Sequence, residues 1–353
     1  MSLNKLRKKI DALDRKLIYL LNLRAEETKK IGKIKIKTGK SIYVPEREVE
    51  VLSKISKYNQ GPLKKSAIEA IYREVMSASL ALEKPLKIAY LGPEASFSNL
   101  AAIKKFGSQV EYVNCNSIAE VFMEVEKGGS DYGVVPIENS IEGAVSHTLD
   151  VFVDSELKIC SQIILEITHN LLANCPKNKI TTVYSNPYVF GQCRIWLQKN
   201  LPNARLVDVS STTRAAEIAN KEKNSAAIAS LLASKIYGLK VLATDIQDSL
   251  HNITRFLVIG RNSVNRTGND KTSLLLSIKD HVGALYELLS PFRKYGINLT
   301  KIESRPSKKK AWDYYFFLDI AGHSEDEKVK KALKELESKS KSLKVLGSYP
   351  VGE

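Results

Sequence analysis

The sequence predicts a multidomain chain: an all-α segment over residues 1–84, an α/β segment over 86–262, and an α+β module over 271–353. Three observations carry this reading. Apolar residues recur at helical spacing in the first segment, from Lys87 they gather into short runs that alternate with helical stretches, and the last segment reads strand, helix, strand, strand, helix, strand. At 353 residues the chain also exceeds the size at which one core keeps growing, so two or three cores are expected.

In the first segment Leu3, Leu6, Ile10, Leu13, Leu17, Leu20 and Leu21 mark one helical face, which continues through Thr28, Ile31 and Ile34 to Lys37. Thr38-Gly39-Lys40 breaks this long helix, Pro45 opens a second, and Asn59-Gln60-Gly61-Pro62 separates that one from a third over Leu63 to Glu83. Helices of such unequal length make a poor monomeric bundle. The long one is expected to pack against its twin in a homo-oligomer. Arg24 and Lys35 lie three turns apart on one face, about 16 Å along the axis, where two cations can close on a dianion. Arg7 is about 25 Å from Arg24, too far to join them within one straight helix, but it can reach the same ligand from a partner chain. Arg47 and Glu48 in the second helix, with Ser79 and Glu83 in the third, can complete such a site; singly, each is an ordinary helix-surface residue.

The α/β segment offers strands at Ile88 to Leu91, Tyr132 to Ile137, Ile163 to Ile167, Ile180 to Tyr184, Arg205 to Val209, Ala226 to Ala229 and Phe256 to Ile259, with helices such as Ser117 to Glu126 and Thr213 to Lys221. Thr254 and Arg255 are expected at the entrance of the last strand, where a hydroxyl and a cation can serve a cleft. Polar clusters follow several strands: Gly92 to Ser98, Pro136 to Gly143 with Glu138 and Asn139, Ser185-Asn186-Pro187 with Gln192, and Ser211-Thr212-Thr213. Residues there line the usual ligand crevice of such sheets, or cap helices. Arg261 to Lys271 reads as a flexible basic linker. The βαββαβ order beyond it is that of a ferredoxin-like module, with Ser307-Lys308-Lys309-Lys310 as a solvated hairpin tip.

Charge narrows the function classes. Residues 1–84 carry 20 Lys/Arg against 10 Asp/Glu, residues 271–353 carry 16 against 11, and the middle balances at 18 each. A basic first segment suits nucleic acid, an anionic membrane or a small polyanion. No nucleic-acid motif accompanies the charge, and no apolar run is long enough to span a bilayer. Nucleic acid is thereby disfavoured, and a cytoplasmic protein without a signal peptide is expected. Cys115, Cys160, Cys175 and Cys193 show neither C-x-x-C pairing nor a histidine at zinc-ligand spacing, so neither disulfides nor a metal are expected.

Residues 1–84 resemble the helical chorismate mutase family through Leu6-Arg7-Lys8-Lys9-Ile10-Asp11-Ala12-Leu13-Asp14, Arg24, Gly32-Lys33-x-Lys35 and Arg47-Glu48. The resemblance implies a pericyclic rearrangement of chorismate to prephenate by positioning and electrostatics. It assigns Arg7 of the other chain, Arg24 and Lys35 to carboxylates and the ether oxygen, Glu48 to the hydroxyl, Ser79 to a carboxylate and Glu83 to the ether. Val44 stands where one branch has aspartate and Glu83 where it has glutamine. Residues 86–262 resemble prephenate dehydratase through Gly92-Pro93-Glu94-Ala95-Ser96-Phe97-Ser98, Pro136-Ile137-Glu138-Asn139-Ser140, Ser185-Asn186-Pro187 with Gln192, Ile167-Thr168-His169-Asn170-Leu171 and Asn252-x-Thr254-Arg255-Phe256.

That family has two lobes like a periplasmic binding protein. Prephenate there loses carbon dioxide and its ring hydroxyl together, giving phenylpyruvate. The resemblance gives Thr254 the role of easing hydroxide departure, with Arg255, Asn139, Ser185, Gln192 and Thr213 positioning and Glu138 acting as acid or orienting Asn139. The last module resembles an ACT domain through Gly283-Ala284-Leu285-Tyr286, Gly296-Ile297-Asn298-Leu299-Thr300 and Glu303-Ser304-Arg305-Pro306. It implies L-phenylalanine bound at a dimer interface by Gly283, Ala284, Leu285, Asn298, Leu299, Glu303 and Ser304, shutting the dehydratase. Together these imply a bifunctional, cofactor-free, feedback-inhibited enzyme acting on chorismate and prephenate. A dehydratase whose helical segment only dimerises, and a non-catalytic amino-acid sensor, are the alternatives.

Overall fold

The computed structural model describes residues 2–249, 251–278, 281–307 and 314–351. It forms two compact units, Met1–Lys87 with Lys105–Glu111, and Ile88–Lys104 with Tyr112–Glu353. The first therefore extends beyond the expected boundary at residue 84, by a segment from later in the chain.

The helical unit holds α1 (Leu3–Lys37), α2 (Pro45–Tyr58) and α3 (Lys65–Glu83). Gly39 ends α1 with a φ of +65°, a left-handed conformation that costs glycine nothing. α1 packs on α3 only through its second half, where Thr28 and Gly32 are its buried residues. A Cβ at Gly32 would stand 2.9 Å from Glu83 Cα, so the close approach of the two helices depends on the missing side chain. Leu3, Leu6, Ile10, Leu13 and Leu17 are all exposed.

Beyond α3 the chain runs β1 (Lys87–Leu91), α4 (Phe97–Phe106), whose last two residues belong to the first unit, β2 (Glu111–Cys115), α5 (Ile118–Glu126), β3 (Tyr132–Asn139), β4 (Gly143–Ala144), α6 (Ser146–Asp154) and β5 (Lys158–Glu166). A second sheet follows, with β6 (Asn170–Ala173), β7 (Thr182–Ser185), α7 (Pro187–Gln192), α8 (Arg194–Asn200), β8 (Arg205–Asp208), α9 (Thr212–Lys221), β9 (Ser225–Ala229), α10 (Leu231–Tyr237) and β10 (Lys240–Ala243). β11 (Ile253–Gly260) then returns to the first sheet and lies antiparallel between β3 and β5, giving the order β2-β1-β3-β11-β5. Phe256, Leu257, Val258 and Ile259 are at most 2% exposed, which is why an apolar run is needed at the centre of this sheet. The second sheet has the order β10-β6-β9-β7-β8.

Two expectations are corrected here. β11 begins at Ile253, so Thr254 and Arg255 lie inside it, and strand alternation sends their side chains to opposite faces. The basic connection after β11 is packed down: Arg261 donates to the Ser130 carbonyl at 3.3 Å, and Val264 is buried.

The last segment forms β12 (Asp270–Ser277), α11 (Ala284–Lys294), β13 (Leu299–Pro306), β14 (Tyr314–Ala321), α12 (Glu327–Lys339) and β15 (Ser342–Pro350), an antiparallel sheet of order β13-β14-β12-β15. One sheet face packs on the helices through Leu274, Leu276, Leu288, Phe292 and Leu336. The other joins the first sheet's core: Leu275, Phe317, Leu346 and Tyr349 pack with Ile159 and Leu257. The hairpin tip at 308–310 and Trp312 lie outside the described residues.

Candidate active sites

A cavity of about 360 Å³ opens in the helical unit between α1, α2 and α3. Arg24 on α1 donates to Ser79 Oγ on α3, and Ser79 Oγ donates in turn to the Val75 carbonyl at 2.8 Å. Three turns along, Lys35 Nζ contacts Glu83 Oε2 and the Ile42 carbonyl, each at 2.7 Å. The expected pair of cations on one helical face is therefore present, with Ser79 and Glu83 opposite. Glu48 sits on the far wall, its Oε2 accepting from Tyr43 Oη and from Lys105 Nζ, both at 2.8 Å. Neither Tyr43 nor Lys105 was expected there. Lys105 lies beyond the end of the helical segment at residue 84 and shows no helical-bundle pattern of its own. Arg47 borders the cavity but pairs with Glu50 on the exposed side of α2, so it is not gathered with the others. Arg7 lies on the exposed start of α1 and outside the cavity.

In the second unit, register places Thr254 directly opposite Asn139 and Arg255 opposite Glu138. Thr254 Oγ1 accepts from Asn139 Nδ2 at 2.8 Å, and the same nitrogen donates to Asn252 Oδ1 at 2.8 Å. The polarity of this chain is fixed from one end. Asn139 Oδ1 accepts from the backbone N–H groups of Ile141 and Glu142, at 2.8 and 3.0 Å, so its NH₂ must face Thr254. Asn252 Oδ1 is then an acceptor and its Nδ2 donates to Gln192 Oε1 at 2.9 Å, which turns Gln192 Nε2 to Glu142 at 3.1 Å. His169 Nε2, 2.7 Å from the same Gln192 oxygen, must carry the hydrogen, leaving its buried Nδ1 as a lone pair without a partner among the described residues. A cavity of about 340 Å³ borders Glu142, Gln192 and Asn252. Thr254 itself is 9% exposed, with its own hydroxyl hydrogen unspent by Asn139.

Burial holds His169 below the usual imidazole pKa, partly offset by its bond to Gln192. The folded chain thus binds fewer protons than the unfolded one in this range. His169's contribution to stability is whole above about pH 6.5 and is lost as the pH falls through the depressed folded value. From about pH 7.5 to about pH 5 the melting temperature of the wild type should therefore fall further than that of His169→Gln, measured by calorimetry. Parallel falls would refute a neutral, buried His169.

The other expected residues are distributed differently. Arg255 and Glu138 leave the Thr254 face altogether. Arg255 donates to Asp319 at 2.6 Å and to Tyr349 Oη at 2.7 Å, with Glu138 at 3.3 Å, while Glu138 also holds Lys301. Burial opposes both charges, yet Asp319 and Glu138 offset it for the guanidinium, which also donates to the neutral Tyr349 hydroxyl, and Lys301 with Arg255 keeps the Glu138 carboxyl below its usual value. An acid role for Glu138 and a cleft role for Arg255 are not what this geometry offers. Ser185 is fully buried and donates to the Ile228 carbonyl at 3.0 Å. Thr213 is 2% exposed, its hydroxyl without a partner among the described residues, and the cap of α9 is Ser211 instead. Neither is hydrogen-bonded to the Thr254 chain. Asn252, His169 and Glu142 join it, though the sequence motifs that contain them gave them no role of their own; for Asn252 the signal was available, since i and i+2 share a strand face with Thr254.

In the last module Gly283, at φ +85°, is the N-cap of α11, followed by buried Ala284 and exposed Leu285. Asn298 accepts from Ala321 N at 2.9 Å through its carbonyl, just ahead of Leu299 at the start of β13. β13 is one of the sheet's two edge strands and carries Glu303 and Ser304 on alternating faces. The two motifs are separate in this chain: Gly283 heads a helix and Glu303 lies on the edge strand.

Three family models match in order along the chain: chorismate mutase type II over residues 6–84, prephenate dehydratase over 88–264, and ACT domain over 272–338. A bifunctional chorismate mutase/prephenate dehydratase of Aquifex aeolicus is 51% identical, covering 99% of this chain and 98% of the relative. The crystal structure of a prephenate dehydratase in complex with L-Phe, from Arthrobacter aurescens, superposes with a TM-score of 0.71 at 34% identity, over 75% of this chain and 90% of that one. A chain described as a novel type of quorum quenching acylase, GqqA, gives 0.70 at 26% identity, over 75% and 98%.

Proposed function

The chain belongs to the family of bifunctional chorismate mutase/prephenate dehydratases, and from that premise we propose how its residues divide the two reactions of L-phenylalanine biosynthesis. The enzyme rearranges chorismate to prephenate and converts prephenate to phenylpyruvate with loss of carbon dioxide and water.

The rearrangement belongs to the cavity of the helical unit. A pericyclic step needs no nucleophile, so fixed charges at the two ends of the substrate suffice. Arg24, oriented by Ser79, takes one carboxylate; Lys35, now paired with Glu83, takes the other and the ether oxygen; Glu48 takes the hydroxyl. Arg7 reaches this cavity from a second copy. The exposed apolar stripe Leu3, Leu6, Ile10, Leu13 and Leu17 and the open edge strand β13 support a homo-oligomer.

Dehydration belongs to Thr254, and the observation that carries this is the orientation of Asn139. Because Asn139 donates to Thr254 Oγ1, the threonine hydrogen is free to be given to the departing ring hydroxyl. As the C–C bond to the carboxylate breaks, its electron pair enters the ring, aromatising it and expelling the hydroxyl, which leaves as water with the Thr254 hydrogen while Thr254 Oγ1 regains a proton from solvent. Gln192, His169 and Asn252 hold that donor in line. A two-lobed, binding-protein-like arrangement of the two sheets around the substrate, and a ferredoxin-like C-terminal module, are the finer fold assignments; the return of β11 between β3 and β5 and the βαββαβ order support them. No described helix is long and apolar enough to cross a membrane, and with four free cysteines we place the protein in the cytoplasm. L-Phenylalanine, bound by the Gly283–Leu285 and Asn298–Ser304 motifs, is the proposed feedback effector.

The test is a single assay of the full chain supplied with chorismate. Phenylpyruvate should accumulate, and saturating phenylalanine should suppress it cooperatively while prephenate builds up. Prephenate without phenylpyruvate overturns the dehydratase assignment, and no chorismate consumption overturns the mutase assignment. Undiminished phenylpyruvate with phenylalanine overturns the effector.

A further inference from the structure

Arg255 and Glu138 stand immediately beside Thr254 and Asn139 on paired strands, yet their side chains are spent on the C-terminal module. Arg255, 6% exposed, is gripped by Asp319 of β14 and Tyr349 of β15, and Ser273 of β12 ties those two together, 2.7 Å from Tyr349 Oη and donating to Asp319. Glu138 holds Lys301 of β13. On β13 the half-buried residues alternate as Leu299, Lys301, Glu303 and Arg305, so Lys301 shares its face with Glu303 of the effector motif. The pairing of β3 with β11 shifts register just after Arg255, the kind of irregularity that lets a strand pair re-aim side chains without losing its ladder.

We propose that the two ion pairs Lys301–Glu138 and Asp319–Arg255 carry the effector's signal to the dehydratase centre, with Lys301 and Asp319 acting as positioning residues through the neighbours of Asn139 and Thr254. The proposal rests on the assignment of dehydration to Thr254 and of the effector to the C-terminal module. A charge as buried as Arg255 does not readily part from its partners, since an unpaired guanidinium would be stranded away from water. Any displacement of β13 and β14 on effector binding must therefore carry Arg255 and Glu138 with it. Strand alternation converts that into a movement of Thr254 and Asn139, whose hydrogen bond sets the direction of the donor. Shared packing of Leu275, Phe317 and Leu346 with Ile159 and Leu257 makes the two sheets move as neighbours, and Gly347 lets β15 lie against Ile159, where a Cβ would stand 2.3 Å from its carbonyl oxygen.

The experiment compares wild type, Lys301→Met, Lys301→Arg and Asp319→Asn as full-length enzymes, each assayed for dehydratase inhibition by phenylalanine and for phenylalanine binding by calorimetry. In Lys301→Met, phenylalanine should still bind, while the concentration that half-inhibits the dehydratase rises about 5-fold to 150-fold, the span of ordinary allosteric couplings. Lys301→Arg should restore inhibition, because it keeps the cation. Asp319→Asn, which keeps the shape and removes the charge, should weaken inhibition in the same way. Wild-type inhibition in Lys301→Met overturns the proposal and leaves the Thr254 assignment standing, as does loss of phenylalanine binding together with inhibition, which would make Lys301 a ligand contact. A wild type that turns over prephenate and is unaffected by phenylalanine overturns the effector reading and this route with it.

Discussion

Thr254→Ala should lower dehydratase kcat by about 10² to 10⁴, the usual worth of a positioned proton donor, while leaving chorismate consumption near the wild-type rate. The loss is specific because the substitution removes one hydroxyl from a strand whose core residues, Phe256 to Ile259, are untouched. Asn139 would then donate only to Asn252. Thr254→Ser, which keeps the hydroxyl in the same hydrogen-bond chain, should retain much of the activity. Single-turnover kinetics with prephenate, alongside a chorismate depletion assay, separates the two steps. Equal loss of both activities in Thr254→Ala would mean general damage to the protein, and a dehydratase indifferent to the substitution would remove Thr254 from the mechanism. The comparison has added weight because a similar fold occurs in a chain described as an acylase; architecture alone does not choose the reaction.

Arg24→Ala should lower mutase kcat/KM by about 10² to 10³, the scale seen when one preorganised donor to developing charge is removed. Dehydratase turnover with prephenate supplied directly should be unchanged. Arg24 is the clean choice on this wall, because Lys35 and Glu83 neutralise each other and removing either leaves the other unpaired. Ser79 loses only one donor in Arg24→Ala, since its hydroxyl already donates to the Val75 carbonyl. A mutase rate within a factor of about three of wild type would mean that the cavity is not where charge is stabilised.

The order of the three segments was legible because each rests on local periodicity: the apolar stripe of α1, the short apolar runs of the first sheet, and the βαββαβ order of the last module. Arg24 and Lys35 share one helical face as their spacing requires, while Ser79 and Glu83, which the family resemblance put in the same site, meet them from α3. The pairing of Thr254 with Asn139 depended on strand register, which one sequence does not give, though family resemblance put both residues in one site. Arg255 and Glu138 show the limit. Adjacency in sequence suggested a shared pocket, but once β11 starts at Ile253 the period of two separates them from Thr254. Their partners Asp319, Tyr349 and Lys301 arrive from a module far down the chain, and no local pattern announces such a meeting. β2 and β10 escaped notice because each is short and partly exposed, so neither shows the apolar run of a central strand.

Phe106 and Gly107 close against the helical unit: the Phe106 ring meets Tyr43 edge-on at 4.9 Å, and a Cβ on Gly107 would fall 2.5 Å from Ser77 Cβ. Tyr43 and Phe106 both line the cavity of the helical unit, the proposed mutase site. A gene trimmed after codon 84 would therefore encode a catalyst lacking part of its own wall, so weak turnover by that fragment would report the missing masonry and say nothing against the activity of the intact polypeptide.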